Sequence, residues 1–163
     1  MPREKRVCEP GDVFHITVNG DSGQAIFRND TDRQELLQII WRYKEKFKFG
    51  LFSFVLMLTH FHCTIQVNDI TISQIMHAIN SAYSRRFNWR HKRKGHLFEE
   101  RFNSKYIQDD VYFLKATIYD HLNPVRAGLV KLPEDYAWSS YRVYLNLVPQ
   151  TVFDVDVQMV LDK

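Results

Sequence analysis

Hydrophobic and polar residues alternate from Val13 to Val18, with Phe14, Ile16 and Val18 on one side and His15 and Thr17 on the other. That period of two predicts a half-buried strand, closed by the turn signal Asn19-Gly20-Asp21. Thr31 and Gln34 have capping-box spacing, and Leu36, Leu37, Ile40, Trp41, Tyr43 and Phe47 then recur at helical intervals, predicting a helix from Asp32 to Lys46. The aromatic and branched stretch from Leu51 to Val67 is too long for one comfortable strand. It is most simply broken near Leu58-Thr59 into a hairpin of two. Ser73 is the expected N-cap of a second amphipathic helix carrying Ile75, Met76, Ile79, Ala82 and Tyr83, which runs into positive charge before Gly95 as its dipole prefers. His96 to Ile107 reads as a further extended segment. Asp109 and Asp110 cap a third helix whose apolar stripe is Val111, Leu114, Ile118 and Leu122, and Pro124 ends or breaks that helix at Asn123.

Strand, helix, strand, strand, helix, strand and a further helix is an α+β order. It predicts a ferredoxin-like sandwich: an antiparallel sheet with two helices on one face and an added helix after the last strand. The chain has 163 residues, 45% of them hydrophobic, which suits one domain with its own core. Residues 148–163 are set apart as a polar tail. Cys8 and Cys63 are the only cysteines, too few for a disulfide framework, and imply a reducing compartment. No run of about 18 apolar residues occurs and the segment Met1 to Pro10 is charged, so a membrane span or secretion signal is not expected and the cytoplasm is.

The net charge of +3 understates a local excess. Arg85, Arg86, Arg90, Lys92, Arg93, Lys94, Arg101 and Lys105 are opposed only by Glu99 and Glu100, and Phe87, Trp89, Phe98 and Phe102 are interleaved with them. Cations for phosphates and flat rings for bases are what single-stranded nucleic acid requires. A solvated basic loop beside core aromatics has the same composition.

Strand parity also places His60 and His62 together on one face, opposite Phe61, Cys63 and Ile65. If the apolar side is core, the two imidazoles share the polar face with Thr64 and Gln66. Two neutral imidazoles at this spacing can share a divalent ion, given a third ligand and an open position. Incidental surface or hydrogen-bonded histidines would look the same. On the third helix, Tyr119 lies on the flank of the apolar stripe, with Lys115 one turn before it and Asn123 one turn after. A phenol beside a metal-bound phosphate and a lysine is a usable nucleophile. A core-edge tyrosine with its hydroxyl in water is the plainer alternative.

The string His60-Phe61-His62, then Gly95-His96-Leu97-Phe98 with Arg101-Phe102, then Tyr119 before Asn123-Pro124-Val125-Arg126-Ala127-Gly128-Leu129, and finally Trp138-Ser139-Ser140-Tyr141, resembles the single-tyrosine HUH transposases. Within them it is most similar to the REP-associated tyrosine transposases. The chain departs from the family pattern at Leu58-Thr59, where relatives often have Pro-Asn, and at Asn19, where an arginine is common. The resemblance implies that His60 and His62 hold a divalent metal, Mg²⁺ or Mn²⁺, with Asn123 as third ligand. It implies that Tyr119 attacks the scissile phosphate to form a 5′-phosphotyrosine, and that the substrate is single-stranded DNA carrying imperfect hairpins. It also implies a monomer or homodimer, the REP-associated branch favouring the monomer. Hairpin contacts are expected from Arg85, Arg86, Arg90, Lys92, Arg93, Lys94, Arg101, Lys105 and Lys115, with Trp89 or Phe98 stacking on a base. No GxxxxGK[ST] phosphate loop occurs, consistent with transesterification that needs no ATP. Two other readings are a noncatalytic nucleic-acid-binding module using an open sheet face and a metal-dependent hydrolase using water in place of Tyr119. Mobility and domestication look alike in the sequence.

Overall fold

The computed structural model describes residues 7–149 and 153–163. Residues 1–6 of the charged N-terminal stretch and 150–152 of the tail lie outside the described residues. Strand β1 (Val13–Asn19) leads to helix α1 (Asp30–Phe47), the hairpin of β2 (Gly50–Leu56) and β3 (His60–Gln66), helix α2 (Ile72–Arg90), strand β4 (Asn103–Ile107) and helix α3 (Asp110–Arg126). Two short helices follow, α4 (Tyr141–Tyr144) and α5 (Val157–Leu161). The sheet order is β2-β3-β1-β4 and every pairing is antiparallel. This is the ferredoxin-like arrangement that the element order predicts.

Strand parity sorts the two faces. Phe14, Ile16 and Val18 of β1 and Phe61, Cys63 and Ile65 of β3 join one core with Leu36, Leu37 and Ile40 of α1 and Ile75, Met76, Ile79 and Tyr83 of α2. The opposite face carries the polar residues, and α3 packs across it. Half of its sequence-derived stripe faces outward, Val111 63% and Ile118 53% exposed with Leu114 and Leu122 half-buried, whereas Phe113, Ala116, Thr117, Asp120 and His121 are buried. Hydrophobic periodicity points to the wrong face because the surface beneath α3 is partly polar, so the face that meets it mixes Phe113 and Ala116 with Thr117, Asp120 and His121.

A bulge between Leu51 and Ser53 in β2 serves the same packing. It leaves Leu51 in the main core while Phe52 joins Phe113 in a second cluster, the two rings 5.0 Å apart, and Ser53 bonds Asp120.

Other local expectations shift. The N-cap of α1 is Asn29, whose side chain accepts from the Asp32 amide, so Thr31 lies in the first turn. The N-cap of α2 is Thr71, which forms a reciprocal capping box with Gln74, so Ser73 is already helical. The extended segment contracts to β4, and residues 96–102 are irregular apart from a Gly20–Phe98 bridge. Gly20 is obligatory there, since an added Cβ would lie 2.2 Å from the Gln24 carbonyl oxygen.

Helix α3 does not stop at Asn123. It runs through Pro124 to Arg126, then closes with Gly128 N–H donating to Val125 O and Leu129 N–H to Pro124 O, both 3.0 Å, and Gly128 at φ 72°. This is a Schellman closure. Pro124 sits in the last turn, so its missing amide removes one hydrogen bond, and its buried ring packs.

The Trp138-Ser139-Ser140-Tyr141 motif covers the β2 edge. Leu56 N–H donates to Trp138 O, Ser140 N–H to Phe54 O, and Phe54 N–H to Ser140 Oγ. Tyr136 and Tyr144 hydroxyls donate to Leu56 O and Phe52 O, and Asp156 in the tail accepts from Leu51 N–H. These bonds blunt an edge strand that would otherwise offer unpaired backbone. Among the described residues no helix is long and apolar enough to cross a membrane.

Candidate active site

On the polar face, antiparallel register sets Asn19 opposite His60, Thr17 opposite His62 and His15 opposite Thr64. The His60 and His62 rings stand edge-on with centroids 4.9 Å apart. Each has its Nδ1 beside a threonine hydroxyl: His62 at 2.9 Å from Thr17 Oγ1 and His60 at 3.2 Å from Thr59 Oγ1. When Nδ1–H donates to the hydroxyl, Nε2 keeps its lone pair for a cation, which is how a metal-ligating histidine is commonly oriented. Burial pushes the His62 imidazole down to about 4 and also lowers His60, so both are neutral at physiological pH. The Asp120 carboxylate opposes that fall at His62 without reversing it.

Helix α3 brings Tyr119 against His62 and His15. Its ring is edge-on to His62 at 5.5 Å and to His15 at 5.9 Å, and it is 40% exposed, open to a substrate. The Arg126 guanidinium lies 5.1 Å from the Tyr119 ring centroid, within cation–π range. That contact exists because α3 passes through Pro124, leaving Arg126 two turns from Tyr119. Asn123, 9% exposed, makes no side-chain hydrogen bond among the described residues. Neutral imidazoles and a carboxamide oxygen are donor types that suit a divalent cation.

A second cluster shares His62. Ligand atoms of His15, His62 and Asp120 lie within 4.8 Å of one another, all three residues buried. Here His15 Nε2–H already donates to Asp120 Oδ1 at 2.7 Å, and Asp120 Oδ2 accepts from Ser53 Oγ at 2.6 Å and Thr64 Oγ1 at 3.4 Å. A metal there would have to part a satisfied buried network. Sequence reading placed His15 and Thr17 on the polar side by parity and overlooked Asp120 and Arg126. The signal for Asp120 was a carboxylate adjoining Tyr119 on a helix with a polar sheet beneath it.

A cavity of about 260 Å³ opens between β1, β4 and α3, lined by His62, Tyr119, Lys105 and Lys115 among others. Lys105 therefore belongs beside the reactive groups with Lys115, apart from the rest of the basic stretch. A larger cleft of about 770 Å³ lies between α2 and residues 95–102, with Arg85 and Arg101 in its lining; it holds neither His60, His62 nor Tyr119.

The remaining basic residues divide. Arg86 and Arg90 pair with Glu35 at 2.6 and 2.8 Å, and Arg90 also pairs with Asp32 at 3.0 Å. Burial pushes the Asp32 carboxyl up, but bonds from Arg28 N–H, His91 and Arg90 together hold it below its ordinary value. Arg93 is spent on Asn88, Gln24 and the His96 carbonyl, fixing the loop after α2. Arg85, Lys92, Lys94, Arg101, Lys105 and Lys115 make no ion pair among the described residues. Trp89 is 72% exposed with Arg86 over its ring, whereas Phe98 is buried between Phe61 and Tyr83 and has no free face for a base.

Paired histidines on the polar face of a four-stranded antiparallel sheet, beside a helix that presents a tyrosine, define an α+β protein with a candidate metal and nucleophile site. The model of the family described as "Transposase IS200 like" matches residues 13–119, and the chain belongs to that family. A solved REP-associated tyrosine transposase bound to a REP hairpin has the same fold, at 22% identity and TM-score 0.75, over 91% of this chain and 89% of that one. A solved protein from Deinococcus radiodurans R1, also described as a transposase, aligns at 12% identity and TM-score 0.51, over 76% of this chain and 96% of that one. No curated protein matches the chain.

Proposed function

We propose that this transposase cleaves and rejoins hairpin-bearing single-stranded DNA through a covalent 5′-phosphotyrosine at Tyr119. The observation that carries this reading is the Tyr119 ring set against His62, whose Nε2 is left free by the Thr17 contact. His60, His62 and Asn123 would hold one Mg²⁺ or Mn²⁺. Such an ion supplies Lewis-acid polarisation and orientation of the scissile phosphate.

The chain's own residues do the rest. Tyr119 loses its phenolic proton and Oη bonds to phosphorus, the P–O3′ bond breaks, and the departing 3′ oxygen takes up a proton. The number of phosphoester bonds is unchanged, so a 3′-hydroxyl from another strand can reverse the step and release Tyr119 without ATP. Lys105 and Lys115 line the approach and attract the phosphate backbone. Arg126, against the Tyr119 ring, steadies that ring in its place over the site.

For the hairpin, the basic surface of Arg85, Lys92, Lys94 and Arg101 with exposed Trp89 supplies unpaired cations and a stacking face. The REP hairpin held by the transposase of like fold supports this choice of substrate. Arg86, Arg90 and Arg93 instead hold the helix ends and loop that present that surface. A noncatalytic module reading through an open sheet face is disfavoured, because α3 covers that face. The test is a Mn²⁺-dependent digestion of a labelled single-stranded hairpin and of its duplex. Cleavage of the hairpin alone, yielding a free 3′-hydroxyl end and a protein-linked 5′ end, is the expected result. A free 5′-phosphate from the outset would mean that water is the nucleophile.

A further inference from the structure

We infer that the buried His15–Asp120 pair is a positioning unit for Tyr119 and His62 rather than a part of the metal site. The inference rests on the proposed function and deepens it.

Asp120 follows Tyr119 in α3, is fully buried, and meets three separate donors. Ser53 on β2 donates at 2.6 Å, Thr64 on β3 at 3.4 Å and His15 on β1 at 2.7 Å. One carboxylate thus ties the nucleophile's helix to three neighbouring strands. Ser53 Oγ and Thr64 Oγ1 also lie 3.0 Å apart, closing the network. A helix fastened at the residue next to Tyr119 has little freedom to roll, and about 1 Å of misplacement at a reacting group costs around a hundredfold in rate.

His15 carries the constraint onward. With Nε2 held by Asp120, its ring lies nearly parallel to that of His62, 13° between planes and 5.5 Å between centroids, and edge-on to Tyr119 at 89° and 5.9 Å. It backs the His62 ring from the side opposite His60. Thr17 fixes the His62 tilt through Nδ1, and His15 limits its swing. His15 and Asp120 satisfy each other, whereas His62 Nε2 and the Asn123 amide make no hydrogen bond among the described residues. Outer groups of this kind shape metal affinity without supplying a ligand.

The experiment compares the wild-type chain with His15→Ala, Asp120→Ala and Asp120→Asn. Mn²⁺ stoichiometry and affinity are read by calorimetry, Co²⁺ coordination by visible absorption, hairpin affinity by anisotropy, and single-turnover adduct formation at saturating metal and DNA. Thermal melting identifies any variant that fails to fold; Asp120→Asn keeps an acceptor for His15 and is the safeguard. The expected result for His15→Ala and Asp120→Ala is one Mn²⁺ per chain bound about tenfold more weakly. Their Co²⁺ spectra shift, adduct formation slows about 10- to 100-fold, and hairpin affinity is unchanged. Asp120→Asn recovers part of the loss. Loss of Mn²⁺ stoichiometry in folded Asp120→Asn would make Asp120 a ligand and overturn the inference. Folded variants with wild-type Co²⁺ spectra and rates would overturn it equally. If wild-type chain forms no adduct at all, the proposed function fails, while the metal titrations still judge this pair.

Discussion

The Tyr119 ring meets the His62 ring edge-on, centroids 5.5 Å apart and planes at 86°. The proposed nucleophile and one of the imidazoles proposed to hold the metal are therefore a single packed unit, and its geometry makes the roles of the surrounding side chains measurable.

Thr17 is the hydroxyl beside His62 Nδ1. Replacing it with valine removes that partner at nearly constant volume and frees the ring to change tautomer. Mn²⁺ affinity is expected to fall about tenfold, with the Thr59→Val effect at the more exposed His60 smaller. Calorimetric titration of the purified variants checks the order.

Arg126 lies against the Tyr119 ring and should hold that ring in its reactive orientation. Arg126→Gln is expected to slow single-turnover adduct formation about fivefold, the equivalent of about 1 kcal/mol. Melting temperature should hold, since Arg126 is exposed and makes no ion pair among the described residues. Equal rates for variant and wild type would remove Arg126 from the account.

The basic residues separate by partner. Lys94→Gln is expected to reduce the slope of log affinity against log salt for a hairpin by about one, as loss of one phosphate contact does. Arg90→Gln should leave that slope in place and cost about 2 kcal/mol in urea unfolding, because the Asp32 carboxylate loses a bonded partner. Reversal of the two effects would show that the ion pairs break when DNA binds.

Burial drives His62 and His121 each down to about 4. In the unfolded chain both titrate near 6.5, so between 6.5 and about 4 the unfolded state binds more protons. Stability of the metal-free protein must then fall as pH drops through that window, by up to about 1.4 kcal/mol per unit per histidine. Asp32, whose carboxyl is lowered from 3.8, adds a loss only at lower pH still. Urea unfolding at pH 7 and pH 5 measures the slope, and His121→Gln should flatten it.

Strand parity made the sheet legible from the sequence: a period of two has only two faces, and Phe61, Cys63 and Ile65 fixed which was core. His60 and His62 followed, as did His15 and Thr17. Helix α3 was misread in orientation, because Val111 and Ile118 look like part of a buried stripe until the surface beneath is known to be partly polar. Asp120 was hidden for the same reason: its partners Ser53, Thr64 and His15 come from three distant strands, and a β2 bulge decides that Ser53 faces it. Local caps were displaced by a few residues, since Thr71 and Ser73 both have capping chemistry and only tertiary packing chooses. Arg86 and Arg90 read as DNA contacts because Asp32 and Glu35 stand more than fifty positions away in the chain.

The central claim is that Tyr119 becomes covalently attached to DNA. Wild-type protein and Tyr119→Phe, each with Mn²⁺ and a single-stranded hairpin labelled on the 3′ side of the cleavage site, are compared on a denaturing gel. Label migrating with the wild-type protein, abolished in the variant and by chelator, is the predicted result. Equal adduct from Tyr119→Phe, or cleavage that proceeds with no label on either protein, would contradict it.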